Sequence, residues 1–154
     1  MCSYKNITDI LIKKNITISV AESCTGGQLS KYLTDKPGIS KVFHMGLITY
    51  SKKSKSLILG IPSKLIKNHG EVSEKIAYLM STNLSKMSKS KICVATTGIA
   101  GPSGGTQKKP VGLVFIGITF NKKTSVFKKK FNGNRKKIQK DTIIFCLKEI
   151  YKLI

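Results

Sequence analysis

Short β-branched runs alternate along this chain with segments whose apolar residues recur at helical spacing, and that alternation restricts it to an α/β architecture. Ile7, Ile10, Leu11 and Lys14 fall at helical spacing and Asn15 is a stop, which predicts an amphipathic helix over residues 4–14. Thr17-Ile18-Ser19-Val20-Ala21 reads as a buried strand broken by Gly26-Gly27. Leu29, Tyr32 and Leu33 predict a helix that ends before Pro37-Gly38. Leu47-Ile48-Thr49-Tyr50 reads as a second strand, Lys55 to Leu59 as a short helix closed by Gly60, and Pro62 as the start of another turn. Ser73 suits the N-cap of a helix whose Ile76, Ala77, Met80 and Leu84 make one apolar face. Ile92 to Thr96 is a third strand. Val111 to Phe120 and Ser125 to Phe131 predict a hairpin turned by Asn121-Lys122-Lys123, and Arg135 to Leu153 predicts a closing helix. This order predicts one three-layer α/β/α domain over residues 1–154, built on a mixed β-sheet.

Charge is the unusual part of the composition. Twenty-eight basic minus seven acidic residues gives +21 in 154 residues, and Arg135 is the only arginine. Surfaces that grip phosphates closely favour arginine for its bidentate fork, whereas these lysines are scattered. Lys, Ile and Asn are abundant together, the pattern of A/T-rich codons, so the charge reads as compositional first. Non-specific contact with nucleic acid at low salt still follows from it. No uncharged stretch approaches the ~20 residues of a membrane span. The start, Met1-Cys2-Ser3-Tyr4-Lys5, lacks the pattern of an export signal. Cys2, Cys24, Cys93 and Cys146 form no C-x-x-C pair, which reads as reduced thiols in the cytoplasm. With only His44 and His69 beside them, no familiar metal site is expected.

Four segments can carry chemistry. Ala21-Glu22-Ser23-Cys24-Thr25-Gly26-Gly27 lies at a strand-to-helix turn, where a serine hydroxyl is presented at a sheet end and free N–H groups can hold an oxyanion. The same residues also serve as a plain cap and glycine turn, and Cys24 reads as a thiol nucleophile or a small buried residue. Thr49-Tyr50-Ser51-Lys52-Lys53-Ser54-Lys55 can bring a lysine to a serine, although most lysines of such a chain are solvated. Thr97-Gly98-Ile99-Ala100-Gly101-Pro102-Ser103-Gly104-Gly105 can line a ligand with backbone N–H groups or be a structural loop. It carries neither a Walker G-K-[ST] nor a dinucleotide G-x-G-x-x-G. Asn132-Gly133-Asn134-Arg135 can hold one phosphate at a helix start, or simply turn the chain.

Read together and in order, A-E-S-C-T-G-G, P-G-x-S, T-Y-S-x-x-x-K, G-x-V-S, T-G-I-A-G-P-x-G-G, K-P-V-G and F-x-G-x-R resemble the C-terminal domain of the competence-damage CinA family, the nicotinamide-nucleotide amidohydrolases. The resemblance spans roughly Asn6 to Leu153 and, without the pyrophosphatase-associated N-terminal unit, is to the stand-alone form. It implies hydrolysis of the carboxamide of nicotinamide mononucleotide to the acid and ammonia, by a cytoplasmic homo-oligomer that needs no metal or cofactor. Carried onto this sequence, Ser23 is the nucleophile, Lys55 its base and Tyr50 their neighbour. Thr25, Gly26 and Gly27, with Thr97, Gly98, Ala100, Gly101, Gly104 and Gly105, line the substrate, and Arg135 meets its phosphate. The chain departs from the family pattern at Met45-Gly46, Lys91, Asn134 and Gln139. Two other readings stand beside the enzyme: a basic relative without turnover that contacts nucleic acid, and a degenerate relative kept for protein contacts.

Overall fold

In the computed structural model, which describes residues 3–154, five strands form one sheet: β1 (Ile18–Glu22), β2 (Phe43–Ile48), β3 (Ile92–Gly98), β4 (Leu113–Phe120) and β5 (Lys123–Lys130). The spatial order is β2-β1-β3-β4-β5; β1 is parallel to both neighbours, and the β3–β4 and β4–β5 pairs are antiparallel. Met1 and Cys2 fall outside the described residues, and with them the expectation for the Cys2 thiol. Cys24, Cys93 and Cys146 are free and buried.

Side-chain alternation along the central strands makes the two faces. Ile18 and Val20 of β1 and Ile92 and Val94 of β3 point into one core with α1 (Ile7–Lys13), α2 (Gln28–Thr34) and α6 (Arg135–Leu153). Ala21, Cys93 and Ala95 point the other way, under α3 (Lys52–Leu59), α4 (Ser63–His69) and α5 (Glu74–Ser88). The molecule is therefore a three-layer α/β/α domain on a mixed sheet. The helix expected over residues 4–14 divides into a 3-10 turn, Tyr4–Asn6, and α1. The hairpin turn is two residues rather than three: Asn121 and Lys122 both take positive φ, which suits the twist of the flanking strands. Strand β5 is an edge, and its exposed Lys123, Lys128 and Lys130 discourage pairing with another chain.

Helix α5 lies closely on β4 because Gly117 has no side chain. A Cβ there would stand 2.4 Å from the Ala77 carbonyl oxygen and 3.0 Å from Ser81 Cβ. Ser81 in turn bonds the Cys93 carbonyl at 2.9 Å and Thr119 Oγ1 at 2.7 Å, both out of water. Gly117→Ala should force α5 outward and cost about 1–3 kcal/mol, read as a lower urea midpoint at unchanged slope.

Candidate active site

Strands β1, β2 and β3 run parallel, so their C-terminal ends open on one rim of the sheet. Chain connections leave β1 and β2 on opposite faces, and ligands of open α/β sheets bind at such a rim.

At the end of β1 the chain must start α2, whose N-cap, Gly27 (φ +96°), has no side chain to offer. Glu22 supplies the missing acceptor. Its fully buried carboxylate accepts from Gly27 N (3.2 Å), Leu29 N (3.0 Å) and Ser30 N (2.7 Å), and from the hydroxyls of Thr25 (2.6 Å) and Ser30 (2.7 Å). Thr25, itself buried, also meets Thr96 Oγ1 at 2.8 Å. These contacts fix the turn that carries Ser23. The sequence reading gave Glu22 no role. The available signal was one acid ahead of a glycine turn that lacks a polar cap immediately before its helix.

Lys55 reaches this turn because α3 begins at Lys52, not at Lys55 as expected. Ser51 and Ser54 form a reciprocal capping box, each backbone N–H held by the other's hydroxyl at 3.0 Å. Thr49 and Tyr50 consequently leave the strand, and Lys55 falls on the inward face while Lys52 and Lys53 stay in solvent. Its side chain is fully buried, and Nζ lies 3.0 Å from Ser23 Oγ, 2.8 Å from the Thr49 carbonyl and 3.4 Å from the Tyr50 carbonyl. Burial pulls the Lys55 pKa below its ordinary value, and the charge of Glu71 opposes that shift. Cys24, beside Ser23, has its thiol pushed up to about 12, chiefly by burial, so it stays protonated and is a poor nucleophile.

Ser23, Cys24 and Tyr50 line a cleft of about 240 Å³ with Thr97, Gly98, Ala100, Gly101, Gly104 and Arg135. Glu71 and Val72, to which the sequence reading gave no place, line it as well. Arg135 donates to the Gly101 carbonyl and to the Tyr50 hydroxyl, both at 2.8 Å. The phenol of Tyr50 is thus tied to Arg135 rather than to Ser23 or Lys55. Thr25, Gly26, Gly27 and Gly105 do not line the cleft. Thr25 is engaged with Glu22 and Thr96, Gly27 lies against Ile48, and Gly105 packs on Val111. The N–H groups of Ser23, Gly26 and Gly27 are already bonded to the Thr96 carbonyl, the Ser23 carbonyl and Glu22. Among the described residues, no hydrogen-bond partner faces the N–H groups of Cys24 and Thr25, and of the two only Cys24 lines the cleft. Gln139 is buried behind the turn, donating to the Cys24 carbonyl at 2.9 Å and accepting from Gln28 at 2.7 Å. No cluster of metal-ligating side chains occurs among the described residues, and no helix there is long and apolar enough to cross a membrane.

A buried amine against a serine hydroxyl, with an unpartnered N–H one residue on in the same cleft, is equipped for attack on a carbonyl carbon. The relatives of this chain carry the same domain. Residues 3–154 match the model of the CinA C-terminal domain. A competence-damage inducible protein of Clostridioides difficile is 49% identical over 133 residues, 86% of this chain and 32% of its own length. Its counterpart in Clostridium beijerinckii is 42% identical over 148 residues, 96% of this chain and 36% of its own. The chain therefore spans about a third of the length of these curated relatives. Among solved structures, the competence/damage inducible protein CihA of Agrobacterium tumefaciens superposes with a TM-score of 0.91 at 31% identity, covering 97% of this chain and 94% of that one. A CinA superfamily protein of Escherichia coli does so at 0.91 with 26% identity, covering 99% and 91%. Sequence and fold together place this chain in the CinA family, as a form of its C-terminal domain.

Proposed function

We propose that this domain is an amidohydrolase that converts nicotinamide mononucleotide to nicotinic acid mononucleotide and ammonia through an acyl-enzyme on Ser23. The observation that carries the reading is the 3.0 Å contact between Ser23 Oγ and the fully buried Nζ of Lys55, an amine with no ion pair among the described residues. In its neutral form this amine still donates two hydrogens to the carbonyls of Thr49 and Tyr50, which leaves its lone pair for the Ser23 hydroxyl.

The steps follow from that arrangement. The Ser23 proton moves to Lys55 as Oγ bonds to the carboxamide carbon, and the oxygen anion that forms is met by the N–H group of Cys24, the residue of the turn that lines the cleft beside Ser23. Collapse breaks the carbon–nitrogen bond, and the Lys55 ammonium returns its proton to the leaving nitrogen, giving ammonia. Water then attacks the ester with Lys55 again as base, and the carboxylate product leaves Ser23 free. Two of the five Arg135 donors are spent on Gly101 and Tyr50, so three remain for a phosphate.

Purified protein given nicotinamide mononucleotide should release ammonia and the acid in equal amounts, followed by chromatography. Conversion of neither this nucleotide nor its riboside would return the reading to a non-enzymatic one. Non-specific, salt-sensitive binding to duplex DNA follows from the scattered lysines in either case, whereas a tight, sequence-selective complex at physiological salt would favour the nucleic-acid-binding alternative.

A further inference from the structure

The acidic residues are few, seven against twenty-eight basic ones, and their placement is informative. Asp9, Asp35, Asp141 and Glu149 each pair with a lysine at the surface, and Glu22 is enclosed by the α2 cap. Glu74 occupies the first turn of α5. Glu71 alone among the described acids lines the Ser23 cleft, half-buried and with no ion pair, although lysines crowd the rest of the molecule. Its backbone is held in place by Thr97, whose hydroxyl donates to the Glu71 carbonyl at 2.7 Å. The cleft therefore presents an anion at Glu71 and a cation at Arg135.

Resting on the proposed amidase reaction, we infer that Glu71 is a specificity-determining residue: its carboxylate is the counter-ion for a positively charged, N-substituted pyridine ring, and it selects that ring over a neutral one bearing the same carboxamide and phosphate. A cationic ring gains an attraction that is only partly screened in the half-buried cleft. A neutral ring leaves the carboxylate with less water and no partner, so the same residue disfavours the competitor. The base is affected too. Ser23 and Cys24 face Lys55 from one turn, Thr49 and Tyr50 from another, and the Glu71 charge favours the ammonium form. A cation bound beside Glu71 cancels that field, so the charge of the substrate helps to free the amine that attacks it.

Ser23→Ala protein, which should bind without turnover, is titrated by calorimetry with nicotinamide mononucleotide and with its reduced form, whose dihydropyridine ring is neutral. Adding Glu71→Gln should weaken the cationic nucleotide by about tenfold, while leaving the reduced one within about twofold. Glu71→Asp should restore part of the difference. In the otherwise intact protein, Glu71→Gln should also move the acidic limb of the rate profile to lower pH, because one charge favouring the Lys55 ammonium is gone. Equal weakening of both nucleotides, no weakening, or failure of both to bind would overturn the inference. Charge-selective binding by a protein that never turns over would sink the amidase reading instead and leave the role of Glu71 standing.

Discussion

Lys55→Met should lower the rate of the proposed amidase reaction by about 10²–10⁴-fold, the usual worth of a general base, and at the same time make the protein harder to unfold at neutral pH. The first effect follows from the loss of the amine at 3.0 Å from Ser23 Oγ. In the parent protein the logarithm of the rate should climb with unit slope up to the lowered Lys55 value and then flatten, since the base acts deprotonated. Lys55→Met should lose that limb, and Lys53→Met, at an exposed neighbour, should keep it.

The stability effect has the opposite sign because burial depresses the Lys55 pKa in the folded state. Below that lowered value the cost of charging a buried amine is fully present. As pH rises from there toward the unfolded value, about 10.4, the unfolded chain holds more protons than the native one, and stability climbs. Urea midpoints of Lys55→Met should therefore exceed those of the parent at neutral pH, and the gap should narrow toward pH ~10. Such a trade of stability for activity is expected where a site keeps an uncompensated buried group.

The second large effect belongs to Glu22. An amide in its place turns one acceptor oxygen into a donor, facing either the Ser30 N–H or those of Gly27 and Leu29. At least one N–H of the cap is then opposed by another donor, and the charge that answers all five contacts is gone. Breaking such a network should cost Glu22→Gln about 3–5 kcal/mol. The comparison that isolates the cause is Ser30→Ala, which removes one hydroxyl donor and leaves the carboxylate its other four contacts. Similar losses for the two variants would show that the carboxylate is not the organising group.

The three layers were legible in the sequence because period-two and helical patterns survive wherever a segment has one buried face. The ends of elements were harder. Lys55 to Leu59 reads as a helix from its apolar residues, yet the start is set by two serines three apart, Ser51 and Ser54, which hold each other's amides. The exit from β2 was obscured for the same reason, since Thr49 and Tyr50 are good strand formers that the following cap draws away. In the site, Ser23, Lys55, Tyr50 and Arg135 could be named from the motif order, and so could the approach of Lys55 to Ser23, but not the pairing of Tyr50 with Arg135. Tyr50 turned toward Arg135 is a fact of tertiary packing, 85 residues apart along the chain. Glu22 and Glu71 escaped notice because each is a single acid whose meaning lies in what surrounds it: five donors for one, an unpaired place in a cleft for the other.

The central claim, an acyl-enzyme on Ser23 formed with Lys55 as base, is tested most directly by trapping the ester. Protein turning over nicotinamide mononucleotide is quenched in acid, digested and weighed by mass spectrometry. The account predicts the acyl mass on the peptide that contains Ser23, unchanged in Cys24→Ala, absent from Ser23→Ala, and strongly reduced in Lys55→Met. An adduct on Cys24, or full turnover by Ser23→Ala with no adduct, would contradict it.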